Sequence, residues 1–191
     1  MRSVELFAGA GGLAIGASNA GFEHDAVLEW DSDSCATIRA NQARGVQPLA
    51  SWPLVEGDIA DFDFRSLQGA IDLLSGGPPC QPFSLGGKHR GHTDERNMFP
   101  EVFRAVREIR PRAILLDNGN GLLRESFAKY FEYICLQLSY PELRSKGGED
   151  WQDHLSRLEQ HHTSGSESGL FYRVVYRLLN AADHGVPQRR E

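Results

Sequence analysis

Short apolar runs alternate with segments of helical spacing from the first residues to position 138, and this alternation restricts the fold more than any other property of the chain. Residues 4–7, 25–30, 54–56, 70–75 and 113–116 read as strands. Between them, 13–19, a segment N-capped by Asp31 and running to about Asn41, 97–109 and 127–138 read as helices. Strands that alternate with helices pair in parallel, because each helix carries the chain back across the sheet. The expected architecture is an open α/β sheet whose ligands lie beyond the carboxyl ends of its strands. Residues 171–179 (FYRVVYRLL) read as a sixth strand.

With 191 residues the chain reads as one domain, large enough to bury a sizeable core. Its net charge of −6 gives no bulk sign of nucleic-acid binding, so contact with phosphates would need a local basic patch or another chain. Three cysteines without CxxC spacing argue against a disulfide framework or a zinc cluster, and no metal is expected. Cys35 and Cys135 lie in helix-like apolar patterns and read as small core residues. The adjacent His161 and His162 read as part of a solvated polar loop. Around residues 140–169 the chain turns polar; a short helix is expected over 151–160, and the Gly/Ser-rich end reads as a mobile insertion or linker. With no signal pattern and no apolar run of about 18 residues, the chain reads as cytoplasmic.

The turn Phe7-Ala8-Gly9-Ala10-Gly11-Gly12 leaves the first strand and opens a helix at Leu13. Gly9, Gly11 and Ala14 satisfy a G-x-G-x-x-G/A dinucleotide-type pattern, with Glu29 at the end of the second strand placed to bind ribose hydroxyls. A plain tight turn is the other reading of these glycines. Trp30 is a candidate for stacking on a purine or for core packing. Asp58, in Glu56-Gly57-Asp58-Ile59, suits an adenine amine or the start of a turn.

Gly76-Gly77-Pro78-Pro79-Cys80-Gln81-Pro82-Phe83-Ser84 holds a single thiol in a rigid frame just past a buried strand. Prolines fix φ on both sides of it, a placement suited to a nucleophile rather than a packing cysteine. Together these segments resemble the cytosine-5 DNA methyltransferase family, in the right order along the chain. The resemblance implies a Rossmann-like, mostly parallel sheet, S-adenosylmethionine as cofactor, double-stranded DNA as substrate, and service in restriction–modification. It makes Phe7, Gly9, Gly11, Gly12 and Leu13 the cofactor loop, and gives further cofactor contacts to Glu29, Trp30, Asp58, Ile59, Pro78 and Asn97. It makes Cys80 the nucleophile that adds to C6 of a flipped cytosine, and Asp117 the acid at N3. It places Arg190 against the base or the catalytic loop, and Ser84, Lys88, Arg90 and Gln188 on DNA.

Two departures from the family pattern stand out. Asp117-Asn118-Gly119 replaces Glu-Asn-Val, which shortens the acid by one methylene. The sequence also stops at Glu191, where the second Arg of Gln-x-Arg-x-Arg should follow. The expectation is therefore a catalytic portion whose target-recognition domain and C-terminal helix come from a second chain. The alternatives are a truncated product, an inactive cofactor-binding fragment and, more distantly, a dinucleotide-dependent oxidoreductase.

Overall fold

The computed structural model describes residues 1–79, 97–165 and 169–186. Cys80, Ser84, Lys88, Arg90, Gln188 and Arg190 lie outside the described residues. The chain divides into two compact units: Met1–Pro79 with Met98–Asp117, and the remainder.

The first unit is built on a five-stranded parallel sheet of order β3-β2-β1-β4-β5. Its strands are β1 (Arg2–Leu6), β2 (Glu23–Glu29), β3 (Leu54–Glu56), β4 (Leu73–Gly76) and β5 (Ala113–Leu116). Three helices accompany them: α1 (Gly12–Asn19), α2 (Ser32–Ala43) and α3 (Phe99–Ile109). Central strands of a parallel sheet are covered on both faces, so β1 reads Val-Glu-Leu with every one of these residues buried. Because the strand order reverses between β1 and β4, the two strands part at their carboxyl ends and leave a crevice there.

Local chemistry sets the helix boundaries. The Asp31 side chain accepts from the Ser34 N–H at 2.8 Å and starts α2. In α3, Phe99, Val102, Phe103, Val106 and Ile109 recur at helical spacing and are all buried. Arg104 ties α3 to the segment after β3 by donating to the carbonyls of Ile59 (2.6 Å) and Phe62 (3.0 Å). Below the sheet, His24 bridges β2 to its neighbours. Its Nε2 meets the Ala14 carbonyl at 3.0 Å and its Nδ1 the Ser3 hydroxyl at 2.9 Å. The Ala14 carbonyl fixes a proton on Nε2, and burial lowers the histidine's pKa.

Gly76 is required where β4 ends. A Cβ there would lie 2.7 Å from the Leu6 carbonyl oxygen and 3.0 Å from Leu6 Cβ, both on the neighbouring strand. Gly76→Ala is expected to destabilise folding by about 1–3 kcal/mol through this overlap, read as a lowered denaturation midpoint. An unchanged midpoint would show that the strands part without cost.

The second unit contains α4 (Ala128–Ser139) and α5 (Trp151–Ser164). Within the polar stretch 140–169 the expected short helix is present. Helix α5 runs four residues beyond the expected end and packs on α4 through buried His154, Leu155 and Leu158. Asp150 caps it, and His154 joins the Tyr133 hydroxyl (3.1 Å) to the Leu143 carbonyl (2.9 Å). Arg157 grips Glu149 through two nitrogens, at 2.6 and 2.8 Å, and holds that carboxyl down to about 2. The polar composition conceals a helix with one apolar face and a loop pinned by side chains.

His161 and His162 belong to the last turn of α5 rather than to a solvated loop. The Tyr140 hydroxyl bonds His162 Nδ1 at 2.7 Å, and its ring meets the edge of His161. The expected sixth strand is absent: residues 171–179 have no strand hydrogen bonding, and Val175, Tyr176, Leu178 and Leu179 are exposed. Aromatic and β-branched residues suit a strand, but a strand also needs a neighbour to pair with. None is present for this segment among the described residues.

Candidate functional site

The carboxyl ends of β1 to β5 carry those described residues singled out from the sequence that belong to the first unit. Beyond Leu6 the backbone turns sharply. Phe7 takes φ +54°, a conformation disfavoured for a bulky side chain, and Gly9 follows at +55°. The Ala8 N–H donates to the Leu28 carbonyl at 3.0 Å, and the Gly11 N–H to the Ala8 carbonyl at 2.9 Å. A Cβ on Gly9 or Gly12 would meet nothing within 4 Å, so the turn presents bare backbone to open space. Gly11 differs. At φ +94° its would-be Cβ falls 2.6 Å from the Trp52 ring, so this glycine allows close packing against a buried indole. Leu13, half-buried, opens the first turn of α1.

Glu29, 7% exposed, fastens the turn from the end of β2. One carboxyl oxygen accepts from the Gly9 N–H at 2.6 Å; the other accepts from the N–H groups of Trp30 (2.9 Å) and Asp31 (2.8 Å). A carboxyl group has acceptor positions for about four such bonds, which leaves room for a hydroxyl donor. Trp30 is 74% exposed, which removes the core-packing reading and leaves its ring face available. Asp58 is exposed, and its Oδ1 accepts from the Ala60 N–H at 2.9 Å, so it caps a short turn. Ile59 is buried beneath it.

On the other side of the crevice, Pro78 is buried just past β4. The Asp117 N–H donates to the Gly76 carbonyl at 3.0 Å, so the Asp117 carboxyl stands exposed at the end of β5, next to the exit of β4. Asn97 belongs to the second unit, where its amide donates to the Tyr130 hydroxyl at 2.5 Å.

Three residues of this region escaped the sequence reading. Trp52 floors the glycine turn. Glu5, 1% exposed on β1, accepts a short hydrogen bond from the Ser75 hydroxyl on β4. Burial pushes the Glu5 carboxyl up to about 7. The protonated form is thus favoured by folding: its contribution is complete below 4.5, the ordinary value, and is lost as pH rises through about 7. The signal for Glu5 was a charged residue inside an otherwise apolar central strand.

The profile of C-5 cytosine-specific DNA methylases matches residues 1–140. The chain belongs to that family. M.NgoMIV, a type II methyltransferase of Neisseria gonorrhoeae, is 37% identical over 188 residues, 98% of this chain and 48% of that protein. M.AquIA, a type II methyltransferase of Picosynechococcus, is 36% identical over 198 residues, covering 100% of this chain and 68% of that protein. Among solved structures, a DNA modification methyltransferase encoded within an E. coli prophage superposes with a TM-score of 0.51. It shares 28% identity over 67% of this chain and 34% of that one. The C-5 methylase chain spans less than half of M.NgoMIV, and 27% of M.PspPI from Psychrobacter.

The methyl donor of C-5 methylases is S-adenosylmethionine, and the crevice suits it. The open space beside Gly9 and Gly12 admits a ligand against the backbone. The exposed Trp30 ring offers a stacking face, Glu29 retains acceptor capacity for a hydroxyl donor, and Asp58 is an exposed carboxylate with acceptor capacity for an amine. No helix among the described residues is long and apolar enough to cross a membrane.

Proposed function

We propose that this chain carries the cofactor-binding and catalytic portion of a DNA cytosine-5 methyltransferase of restriction–modification type. The observation that carries this reading is the anchoring of Asp117 on the Gly76 carbonyl. It sets a carboxyl at the end of β5, beside the strand that runs directly into Pro78-Pro79-Cys80. S-adenosylmethionine supplies an electrophilic methyl group on a sulfonium. The protein's task is to make cytosine C5 nucleophilic. The Cys80 thiolate adds to C6 of the extruded base, and the Asp117 carboxyl donates a hydrogen bond or a proton at N3 as charge builds on the ring. After transfer, loss of the C5 proton restores the double bond and expels the thiolate. Phe7, Gly9, Gly11, Gly12, Leu13, Glu29, Trp30, Asp58, Ile59, Pro78 and Asn97 form the cofactor-binding set. Ser84, Lys88, Arg90 and Gln188 contact DNA, and Arg190 steadies the base or the catalytic loop.

The net charge of −6 suits a portion that leaves most DNA reading to another surface. A second chain carrying the target-recognition domain and a C-terminal helix is the partner we infer. The test is transfer of labelled methyl from the cofactor to DNA, with and without the product of an adjacent reading frame. Asp117→Ala is expected to slow transfer by about 10²–10⁴-fold while leaving cofactor affinity intact. Undiminished transfer would remove Asp117 from the mechanism. Asp117→Glu with Gly119→Val, which restores the longer acid, is expected to raise the rate.

A further inference from the structure

Glu5 is a carboxylic acid in the middle of a buried parallel sheet. It is 1% exposed, and its register partners are Ser75 on β4 and Val27 on β2. The pair Glu5–Ser75 lies one rung below Leu6–Gly76, the last pair before β1 and β4 part. Glu5 is therefore directly under the crevice. Phe7 of the glycine turn follows it by two positions, and Pro78 follows Ser75 by three.

Among the described residues no charged partner meets its carboxyl. The bond recorded at its carboxyl is the one from the Ser75 hydroxyl. Helix α1, packed against this part of the sheet, is Gly-Leu-Ala-Ile-Gly-Ala-Ser-Asn and has no titratable side chain. From β2 come His24, engaged by Ser3 and Ala14, and Glu29, engaged by three backbone N–H groups. On β4, Asp72 precedes the strand and binds Arg112 and the Arg2 N–H. In α2, Arg39 pairs with Glu56 of β3, and Asp33 lies in the exposed first turn. A buried acid in such a place ionises readily when a fixed positive charge settles above it. The methyl donor is a sulfonium cation. Its demethylated product is an uncharged thioether of nearly the same shape.

We propose that Glu5 is a charge-sensing positioning residue that makes the crevice prefer the cationic cofactor over its neutral product. It does so without touching either ligand. Binding of the sulfonium drives the Glu5 proton to solvent; once the methyl group has left, Glu5 takes a proton back and the electrostatic hold on the product is released. Its titration near neutrality places the effect within the working range of pH. This inference rests on the cofactor reading given above.

The test is calorimetric titration of the full chain with S-adenosylmethionine and with S-adenosylhomocysteine from pH 5.5 to 8.5, for wild type and Glu5→Gln. The ratio of the two dissociation constants is expected to shift about tenfold toward the sulfonium between pH 6 and 8 in wild type. In Glu5→Gln the ratio should lose that shift; ionisation of the ligands' own amino groups is common to both proteins and cancels. A second measurement needs no variant. In buffers of different ionisation enthalpy near pH 7, wild type should release a fraction of a proton on binding the sulfonium beyond that released with the thioether. A pH-independent ratio, equal proton release for both ligands, or a pH dependence retained in Glu5→Gln overturns the proposal. If neither ligand binds wild type, the cofactor reading itself fails, and this inference with it.

Discussion

Cys80→Ser is expected to abolish methyl transfer, with a loss of at least about 10⁴-fold, while cofactor affinity stays within a factor of two or so of wild type. Cytosine C5 does not attack a sulfonium at a useful rate until a nucleophile has added at C6. A serine hydroxyl is a far weaker nucleophile than a thiolate. DNA bearing 5-fluorocytosine provides the direct readout. Fluorine does not leave as the C5 proton does, so wild type should form a complex stable to denaturant and Cys80→Ser should form none. A covalent complex with the serine variant would assign the nucleophile elsewhere. Neither remaining cysteine is a rival. Cys35 is buried and its thiol is pushed up by burial, and burial pushes Cys135 up to about 11.

Trp52→Ala is expected to cost about 3–5 kcal/mol of folding stability. That is a large share of the roughly 5–15 kcal/mol that holds a typical domain together. The indole is 5% exposed and packs with Ala8, Ala14, Val27, Ile38 and Leu49. Its edge meets the His24 ring at 5.3 Å, and its Nε1 donates to the Ser18 hydroxyl at 3.3 Å. Removing it also takes away the surface against which Gly11 is pressed, so cofactor affinity should fall together with stability. Denaturant unfolding measures the first effect and calorimetry the second. A loss below about 1.5 kcal/mol would mean that the core closes over the gap.

The sheet was legible because each of its strands leaves its own mark. The spans 54–56 and 113–116 were read as observed, and the others shifted by one to three residues at each end. Asp31 was recognisable as a cap because one side chain and one backbone N–H decide it. Residues 171–179 misled because a run rich in aromatic and β-branched residues suits a strand but says nothing about its hydrogen-bonding neighbour. The helix over 151–160 was expected, and α5 runs four residues past it. Its order depends on pairs distant in sequence, such as Glu149 with Arg157 and Tyr133 with His154, which composition does not reveal. At the site, the residue types at Glu29, Trp30 and Asp58 were legible from motif spacing. That Gly11 faces an indole and that Glu5 meets Ser75 are facts of tertiary packing, and no local pattern announces them.

The three backbone hydrogen bonds to Glu29 bear on how a ligand is received. They fix the turn before anything arrives, so binding has little loop entropy left to remove, and association should show a small entropic penalty. They also make one side chain a clasp for the backbone at the position we propose for the ribose. A substitution at Glu29 therefore loosens the empty protein as well as its complex, and loss of affinity there cannot be read as loss of a single contact.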